Sequence, residues 1–469
     1  MKINKKISVI GIVLCFLGQV DCFAQSIKSR LDFTVNGPKE SGVNLYRLKD
    51  GKAISLGFQR PDKDGKGGFD IDEKKEGIYF IAKAGGKGTD YKNVLYIKKG
   101  DQQRIDLFLD RYAVDYDSCI VRKPNSETKI LQSWTNRFNQ YCKDIYGKQS
   151  ESYAAYEGFQ AFAKQFLEKN RTNNAYFNTW LTDKVQTDLI YLRAANFFHF
   201  VKRLNGSLDT DASVAHFYQP LLTQDLVSNP AVLRSEHGQD LLNYLFAFWR
   251  FRRDNNAAAL ATIPFSEHIP LIHNDQVKAA YIISKFSQIR RYEDFKQQVE
   301  PYKAVLSSEE DQLAYQKKYE ELYLFAKGTR GYNFNLKDVH DKTYTLDSFK
   351  GKVLVLDMWA MWCAPCLAEK PVMEKIAEGY KDRNDIAFVG VSVDGLNRRD
   401  VWKNFVEKRG FTTIELLSNA TESIQKYYRI EGIPRFLIFD RTGKIVTVDA
   451  PRPSEVGFKK ILDQALAEH

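Results

Sequence analysis

The chain of 469 residues is poor in cysteine, with six, and holds only 13 prolines and 28 glycines. So little glycine and proline excludes a collagenous or low-complexity protein. So little cysteine excludes a disulfide scaffold, and a chain this long buries a core without one. Beyond the N-terminus no apolar segment approaches the ~20 residues a membrane-spanning helix needs. There is no dense basic block either: the formal charge of +10 arises from Lys and Arg interspersed with Asp and Glu. A nucleic-acid partner would ask for a basic face or stretch, so none is expected. No fixed-length repeat recurs. What is present is ordinary globular composition, 43% apolar and 27% charged, which excludes a wholly disordered chain. The 13% aromatic content points to large buried surfaces.

The first residues read as a sorting signal. Lys2, Lys5 and Lys6 precede a mostly apolar run from Ile7 to Val20, and Cys22-Phe23-Ala24 supplies small residues for a cut after Ala24. Lipidation at Cys22 is disfavoured by Asp21, which stands where a small residue is expected. Residues 1–24 are therefore read as a signal peptide that exports the chain to the periplasm or cell envelope, an oxidising compartment. Cys15 and Cys22 would leave with it, and Cys119, Cys142, Cys363 and Cys366 would remain.

Three regions follow, so a multidomain chain is expected. Over 25–123, Leu31 to Val35 and Val43 to Tyr46 alternate apolar and polar residues. Further strands fit Gly77 to Ala82, Val94 to Ile97 and Arg104 to Leu109. Breaks at Lys63 to Gly68 and Ala84 to Gly88 separate them, and the spacing predicts an all-β sandwich. Over 124–327 the period turns helical. Ile130, Leu131, Trp134, Phe138 and Tyr141 share one side, as do Tyr156, Phe159, Phe162, Ala163 and Phe166, and Leu241, Leu242, Leu245, Phe246 and Trp249. These stripes suit a helical core better than a ligand groove. Breaks are expected at Asn205-Gly206, Asn229-Pro230 and His268 to Pro270. Over 328–469 strands alternate with helices in an α/β pattern. Strands are expected at Lys352 to Trp359, Ile386 to Val393, Arg435 to Phe439 and Lys444 to Val448, the last two joined through Arg441-Thr442-Gly443. Helices are expected at Ala364 to Tyr380, Arg399 to Lys408, Ala420 to Tyr428 and Ser454 to Ala467.

The chemistry concentrates in Cys363-Ala364-Pro365-Cys366, between a buried strand and an amphipathic helix. Two cysteines at this spacing at a helix start suit dithiol–disulfide exchange. Unpaired N–H groups and the helix dipole favour a thiolate at Cys363, the attacking group, and Cys366 one turn inside is the resolving thiol. Pro365 falls in the first turn, where a missing N–H costs nothing. Zinc binding would need two further ligands, and neither a second cysteine pair nor a nearby histidine pair exists. A merely structural disulfide would not need an exposed helix start after a tryptophan. Cys119 and Cys142 fit either a disulfide between the first two regions or two buried thiols, the second being favoured because Cys142 falls among apolar helix positions.

The segment Asp357-Met358-Trp359-Ala360-Met361-Trp362-Cys363-Ala364-Pro365-Cys366 resembles the active site of the thioredoxin superfamily. The wider pattern resembles its exported TlpA/ResA-like branch. Phe334 to Asp338, Thr345 to Lys352, Cys366 to Pro371, and Gly432-Ile433-Pro434 ahead of Asp440 to Gly443 carry that likeness across roughly the last 140 residues. The two earlier regions loosely resemble extensions of Bacteroidetes members. The resemblance implies a C-terminal thioredoxin fold, with Pro434 as a cis-proline that, with Ile433, offers backbone pairing to substrate. It makes Asp357 a buried acid relaying the proton of the resolving thiol, and Trp362 a shield and partner contact. Glu369 matches an acid near the dithiol, and a solvated helix carboxylate is the equal alternative. Arg435 stands where these proteins commonly have Thr, which leaves charge preference open. A peroxiredoxin is excluded because no Pro-x-x-x-Thr/Ser-x-x-Cys precedes Cys363.

The expected activity is thiol–disulfide oxidoreduction on disulfide-containing client proteins. Cys363 and Cys366 act in the reducing direction, a membrane electron donor restores the dithiol, and neither cofactor nor metal takes part. Oxidase or isomerase action on the same fold, and a binding or scaffold protein with an auxiliary dithiol, remain the alternatives. The sequence leaves the oligomeric state unspecified.

Overall fold

The structure is a computed structural model that describes residues 28–37, 42–71, 76–83, 93–109, 116–144, 149–204, 212–254, 265–418 and 424–468. The expected signal peptide, the Ala84 to Gly88 break and the Asn205-Gly206 break lie outside these residues. The chain forms two compact units. One comprises residues 1–49, 53–145 and 161–181, the other 50–52, 146–160 and 182–469.

In the first unit, β1 (Ser29–Asn36), β4 (Lys66–Ile71), β7 (Gln102–Leu109) and β8 (Tyr116–Val121) form a sheet in the order β4-β1-β7-β8. A second sheet holds β2 (Val43–Lys49), β3 (Lys52–Gln59), β5 (Gly77–Lys83) and β6 (Val94–Ile97) in the order β3-β2-β5-β6. The inward residues of both, among them Leu31, Phe33, Leu45, Ile81, Leu95 and Leu107, share one buried cluster. The alternation read from the sequence is this division of each strand into a core face and a wet face. One expectation needs correcting. Lys66, Gly67 and Gly68 belong to β4 rather than to a break, because the Phe33 ring lies where a Cβ on Gly67 would stand. Only glycine lets the strand pass under that ring. Asn125 opens α1 (Ser126–Asp144) by accepting from the Thr128 N–H at 2.8 Å.

Helices continue as α2 (Gln149–Lys169), α3 (Ala175–Leu204), α4 (Ala212–Tyr218), α5 (Gly238–Asp254), α6 (Asp275–Ser284), α7 (Tyr292–Gln298) and α8 (Glu309–Tyr323). Most of their aromatic stripes are interior packing: Trp134, Phe138, Phe159, Phe166, Leu241, Leu245 and Phe246 are all buried. Short 3-10 turns at Pro230–Arg234 and Ile269–Leu271 occupy two of the expected breaks. Among the described residues no helix is long and apolar enough to cross a membrane.

The C-terminal region of the second unit is built on a seven-stranded sheet. Its strands are β9 (Asn335–Asp338), β10 (Thr343–Thr345), β11 (Val353–Trp359), β12 (Ile386–Ser392), β13 (Ile414–Leu417), β14 (Arg435–Phe439) and β15 (Ile445–Ala450), ordered β10-β9-β13-β12-β11-β14-β15. β11, β12 and β13 run parallel, and β14 pairs antiparallel with β11. Every residue of β11 is buried, as a central strand covered on both faces requires. Leu354, Leu356 and Met358 enter one apolar cluster, and Val353 and Val355 enter another with Met373, Phe458 and Leu462. The helices are α9 (Ala364–Glu378), α10 (Arg399–Arg409), α11 (Ile424–Tyr427) and α12 (Val456–Ala467). The sequence reading identified α9, α10, α12, β11, β12, β14 and β15 to within a few residues, but not β9, β10 or β13.

Candidate active site: a dithiol over a buried charge cluster

β11 ends at Trp359 and the chain turns through Ala360 to Trp362 into α9. Asp394 holds this turn. Its Oδ2 accepts from the Met361 N–H and from the Ser392 hydroxyl, each at 2.8 Å. Cys363 is the N-cap of α9, and its Sγ accepts from the Cys366 N–H at 3.2 Å. Cys363 and Cys366 form a disulfide with Cα atoms 5.3 Å apart. The free N–H groups of the first turn thus aim at the sulfur that would carry negative charge after reduction.

The expected exposure of this helix start is not what the structure has in the disulfide form. Cys363 is 3% exposed and Cys366 1%. Both belong to a buried cluster with Trp359, Trp402 and Leu417, against which Ile433 packs. Trp362, at 66% exposure, is the side chain that this turn presents outward. The Ile433–Pro434 peptide is cis, and Ile433 packs against the dithiol cluster. Neither Cys119 nor Cys142 takes part in a disulfide, and burial pushes the Cys119 thiol up to about 12.

Three buried charged groups gather beside Trp359, which shares the buried cluster of the dithiol. Asp357 on β11 is one, and burial pushes its carboxyl above the usual range, with Lys370 only partly opposing. Lys370 lies on α9 and Glu415 on β13. The Lys370 ammonium stands 2.7 Å from Glu415 Oε1 and 3.2 Å from Asp357 Oδ2. The first contact is a hydrogen bond, and Glu415 also accepts from Trp359 Nε1 and the Thr413 hydroxyl, both at 2.8 Å. The second lacks hydrogen-bond geometry, so both Asp357 oxygens are buried without a hydrogen-bond partner. Burial would lower the Lys370 pKa, but Glu415 and Asp357 outweigh it and hold the ammonium charged. Glu415 is likewise raised by burial, against Lys370. One cation serves two carboxylates here, and the better bonds go to Glu415. Asp357 is left as the group best able to take up a proton.

Glu369 is neither solvated nor bonded to the sulfurs. It is buried, with its oxygens accepting from the Ser454 hydroxyl at 2.8 Å and the Ser454 N–H at 3.1 Å. Arg435 is buried too, its Nη1 2.7 Å from Asp449 Oδ1 on β15. Sequence reasoning missed Lys370, Glu415, Asp394 and Ser454. A signal existed for Lys370 alone: it stands four residues past Cys366 and seven past Cys363, on the same helix face.

A parallel-centred sheet whose first buried strand delivers a Cys-x-x-Cys disulfide to a helix start, beside a cis-proline loop, defines a thioredoxin-like domain. Residues 328–448 match the model described as the AhpC/TSA family. The chain is 30% identical over 122 residues to the thiol-disulfide oxidoreductase ResA of Bacillus thuringiensis, covering 25% of this chain and 66% of that protein. It is 26% identical over 137 residues to the thioredoxin-like protein YneN of Bacillus subtilis, covering 29% and 79%. The chain thus spans just under two thirds of the ResA length. Among solved structures, the thioredoxin domain of a thiol-disulfide oxidoreductase from Bacteroides vulgatus is 25% identical with a TM-score of 0.27, over 30% of this chain and 96% of that one. A thiol:disulfide interchange protein from Chlorobium tepidum is 26% identical with a TM-score of 0.26, over 29% and 96%.

Proposed function

We propose that this protein is an exported thiol–disulfide oxidoreductase that reduces disulfides of envelope proteins. The observation that carries the reading is the Cys363–Cys366 disulfide at the start of α9, in a buried cluster with Trp359 against which Ile433 packs. In the reduced protein the Cys363 thiolate attacks one sulfur of a client disulfide. A mixed disulfide forms and one client thiolate leaves. Cys366 then loses its proton toward Asp357 and attacks the Cys363 sulfur, releasing the second client thiolate, which is protonated. The client gains two electrons and the Cys363–Cys366 disulfide is restored. A membrane electron donor returns those electrons.

Trp362, Ile433 and Pro434 form the surface that meets the client, in keeping with the exposure of the first and the packing of Ile433 against the cluster that holds the dithiol. Glu369, anchored to Ser454, acts by position rather than by proton transfer. Residues 1–24 serve as the signal peptide, 25–123 as a β-sandwich and 124–327 as a helical domain. The latter two orient the client for the thioredoxin-like domain at 328–469. The test is the reduction potential of the Cys363–Cys366 pair in the full chain. A value of roughly −270 mV, like that of thioredoxin, is expected for a reductant. A value of roughly −120 mV would reverse the direction of transfer, and failure to cycle would remove the activity.

A further inference from the structure

A cleft of about 370 Å³ opens next to the Ile433–Pro434 segment, lined from the helical side by Arg290 and Lys318 and from the sheet side by Arg429, Gly432 and Arg435. Its size is that of a small-ligand or side-chain pocket rather than a packing gap. Four cations line it, and the ion pairs distribute them unequally. Lys318 and Arg429 share one carboxylate, Glu321, at 3.3 and 3.4 Å. Arg435 spends one contact on Asp449, out of the five donors of a guanidinium. Arg290, exposed, has no ion-pair or hydrogen-bond partner among the described residues. Glu431 is the other carboxylate of the lining and is also exposed.

Arg290 and Arg435 both line the cleft, and the charge of Arg290 helps hold the Arg435 pKa down, after the larger effect of burial. Two guanidiniums lining one cleft, one unpaired and the other holding a single ion pair, form a place that a carboxylate from outside would complete. Phe325 and Tyr428 also line the cleft and exclude water from part of it, which strengthens such a pair over one fully in solvent.

We propose that this cleft is a specificity subsite that takes an acidic side chain of the client polypeptide, one to three residues from the cysteine under attack, with Arg290 and Arg435 as its anchors. The proposal rests on the oxidoreductase reading above. The distance follows from chain geometry. Gly432 and Arg435 bracket Ile433–Pro434, and an extended chain advances about 3.3 Å per residue. A client strand laid along that segment therefore brings its near neighbours to the cleft. Arg435, which stands where similar proteins commonly have Thr, becomes intelligible as part of a charge preference.

The experiment uses two matched peptides of about ten residues, with Glu or with Lys flanking a central cysteine. Each is prepared as a disulfide substrate and as a fluorescent serine version that cannot react. Binding of the serine versions to the oxidised full chain is read by anisotropy, independently of redox activity. The Glu peptide is expected to bind about tenfold more tightly than the Lys peptide, as for a charge-assisted pair worth roughly 1.4 kcal/mol. Arg290→Glu, an exposed change, is expected to abolish that ratio, with unaltered melting as the control for folding. The reduction rates of the disulfide versions should show the same preference. Equal binding of the two peptides by the wild-type chain, or an unchanged ratio in Arg290→Glu, overturns the proposal. Loss of reduction with the binding preference intact overturns the oxidoreductase reading and leaves the subsite standing.

Discussion

Lys370→Met tests the charge cluster most directly. Methionine fills similar space without a charge, so the variant leaves Asp357 and Glu415 buried with no cation between them. Removing one partner of a buried ion pair costs about 3–5 kcal/mol, because the remaining charge has no compensation. In a domain of this size that is a fall of about 10 °C in Tm. The pH dependence carries the sharper information. In the wild type, burial already holds the Asp357 and Glu415 carboxyls above their ordinary values, with Lys370 opposing. A carboxyl whose folded pKa is raised binds more protons folded than unfolded, so its cost is absent below the unfolded pKa. That cost grows as the pH rises from the unfolded pKa toward the folded one and levels off above it. Loss of Lys370 raises both further. The variant should therefore come closest to wild type near pH 4 and lose ground steadily toward pH 8. Thermal melts of the oxidised protein at four pH values measure this. A constant deficit at every pH would show that Lys370 acts by packing on the Trp359 and Phe411 rings, 4.7 and 5.1 Å away, and not by neutralising carboxylates.

The remaining predictions concern chemistry and scaffold. Cys366→Ser should accumulate a mixed disulfide between Cys363 and a client, visible by mass spectrometry. Cys363→Ser should form none, and trapping at position 366 instead would exchange the two roles. Asp357→Asn should slow resolution of that mixed disulfide roughly a hundredfold and flatten its pH profile; an unchanged profile would remove Asp357 from the proton path. Gly390→Ala should destabilise the domain by about 1–3 kcal/mol, since the added Cβ would overlap the Glu415 carboxylate and crowd Lys370. Melting equal to wild type would mean the cluster yields.

Much of the C-terminal fold was legible because its strands are buried on both faces and its helices are amphipathic. Val353 to Trp359 reads as a continuous apolar run for that reason, and Gly443 marks the β14–β15 turn with a φ of 76°. β13 was not legible. Ile414-Glu415-Leu416-Leu417 has no alternation, and its one charged residue is buried. A buried carboxylate is foreseeable only when its cation is known, and that cation is a helix apart in sequence. β9 and β10, four and three residues long, are too short to show a period, and β10 is the edge strand, where burial imposes little pattern. The Lys63 to Gly68 segment misled in the opposite way. Glycines there signal a turn, yet two of them serve close approach of a ring or a neighbouring strand instead.

The same asymmetry governs the site. Cys363 and Cys366 announce themselves because exchange chemistry fixes their spacing, and Asp357 because a carboxylate inside an apolar run has no structural reason to be there. The groups that set how Asp357 behaves carry no such mark. Lys370 looks like an ordinary helix lysine until its ammonium is seen beside two carboxylates at 2.7 and 3.2 Å. Its position decides the chemistry, since the geometry gives the hydrogen bond to Glu415 and leaves Asp357 with none. Were the two distances exchanged, Asp357 would be pinned as a carboxylate and Glu415 would hold the proton, two strands away from β11. The proton-accepting role proposed for Asp357 is therefore a property of the Lys370–Glu415 pair as much as of the aspartate. Glu415→Gln should accordingly release Lys370 toward Asp357, lower the Asp357 pKa, and shift the pH optimum of mixed-disulfide resolution to a lower value. An optimum that stays in place would break this chain of reasoning at the Lys370–Glu415 bond.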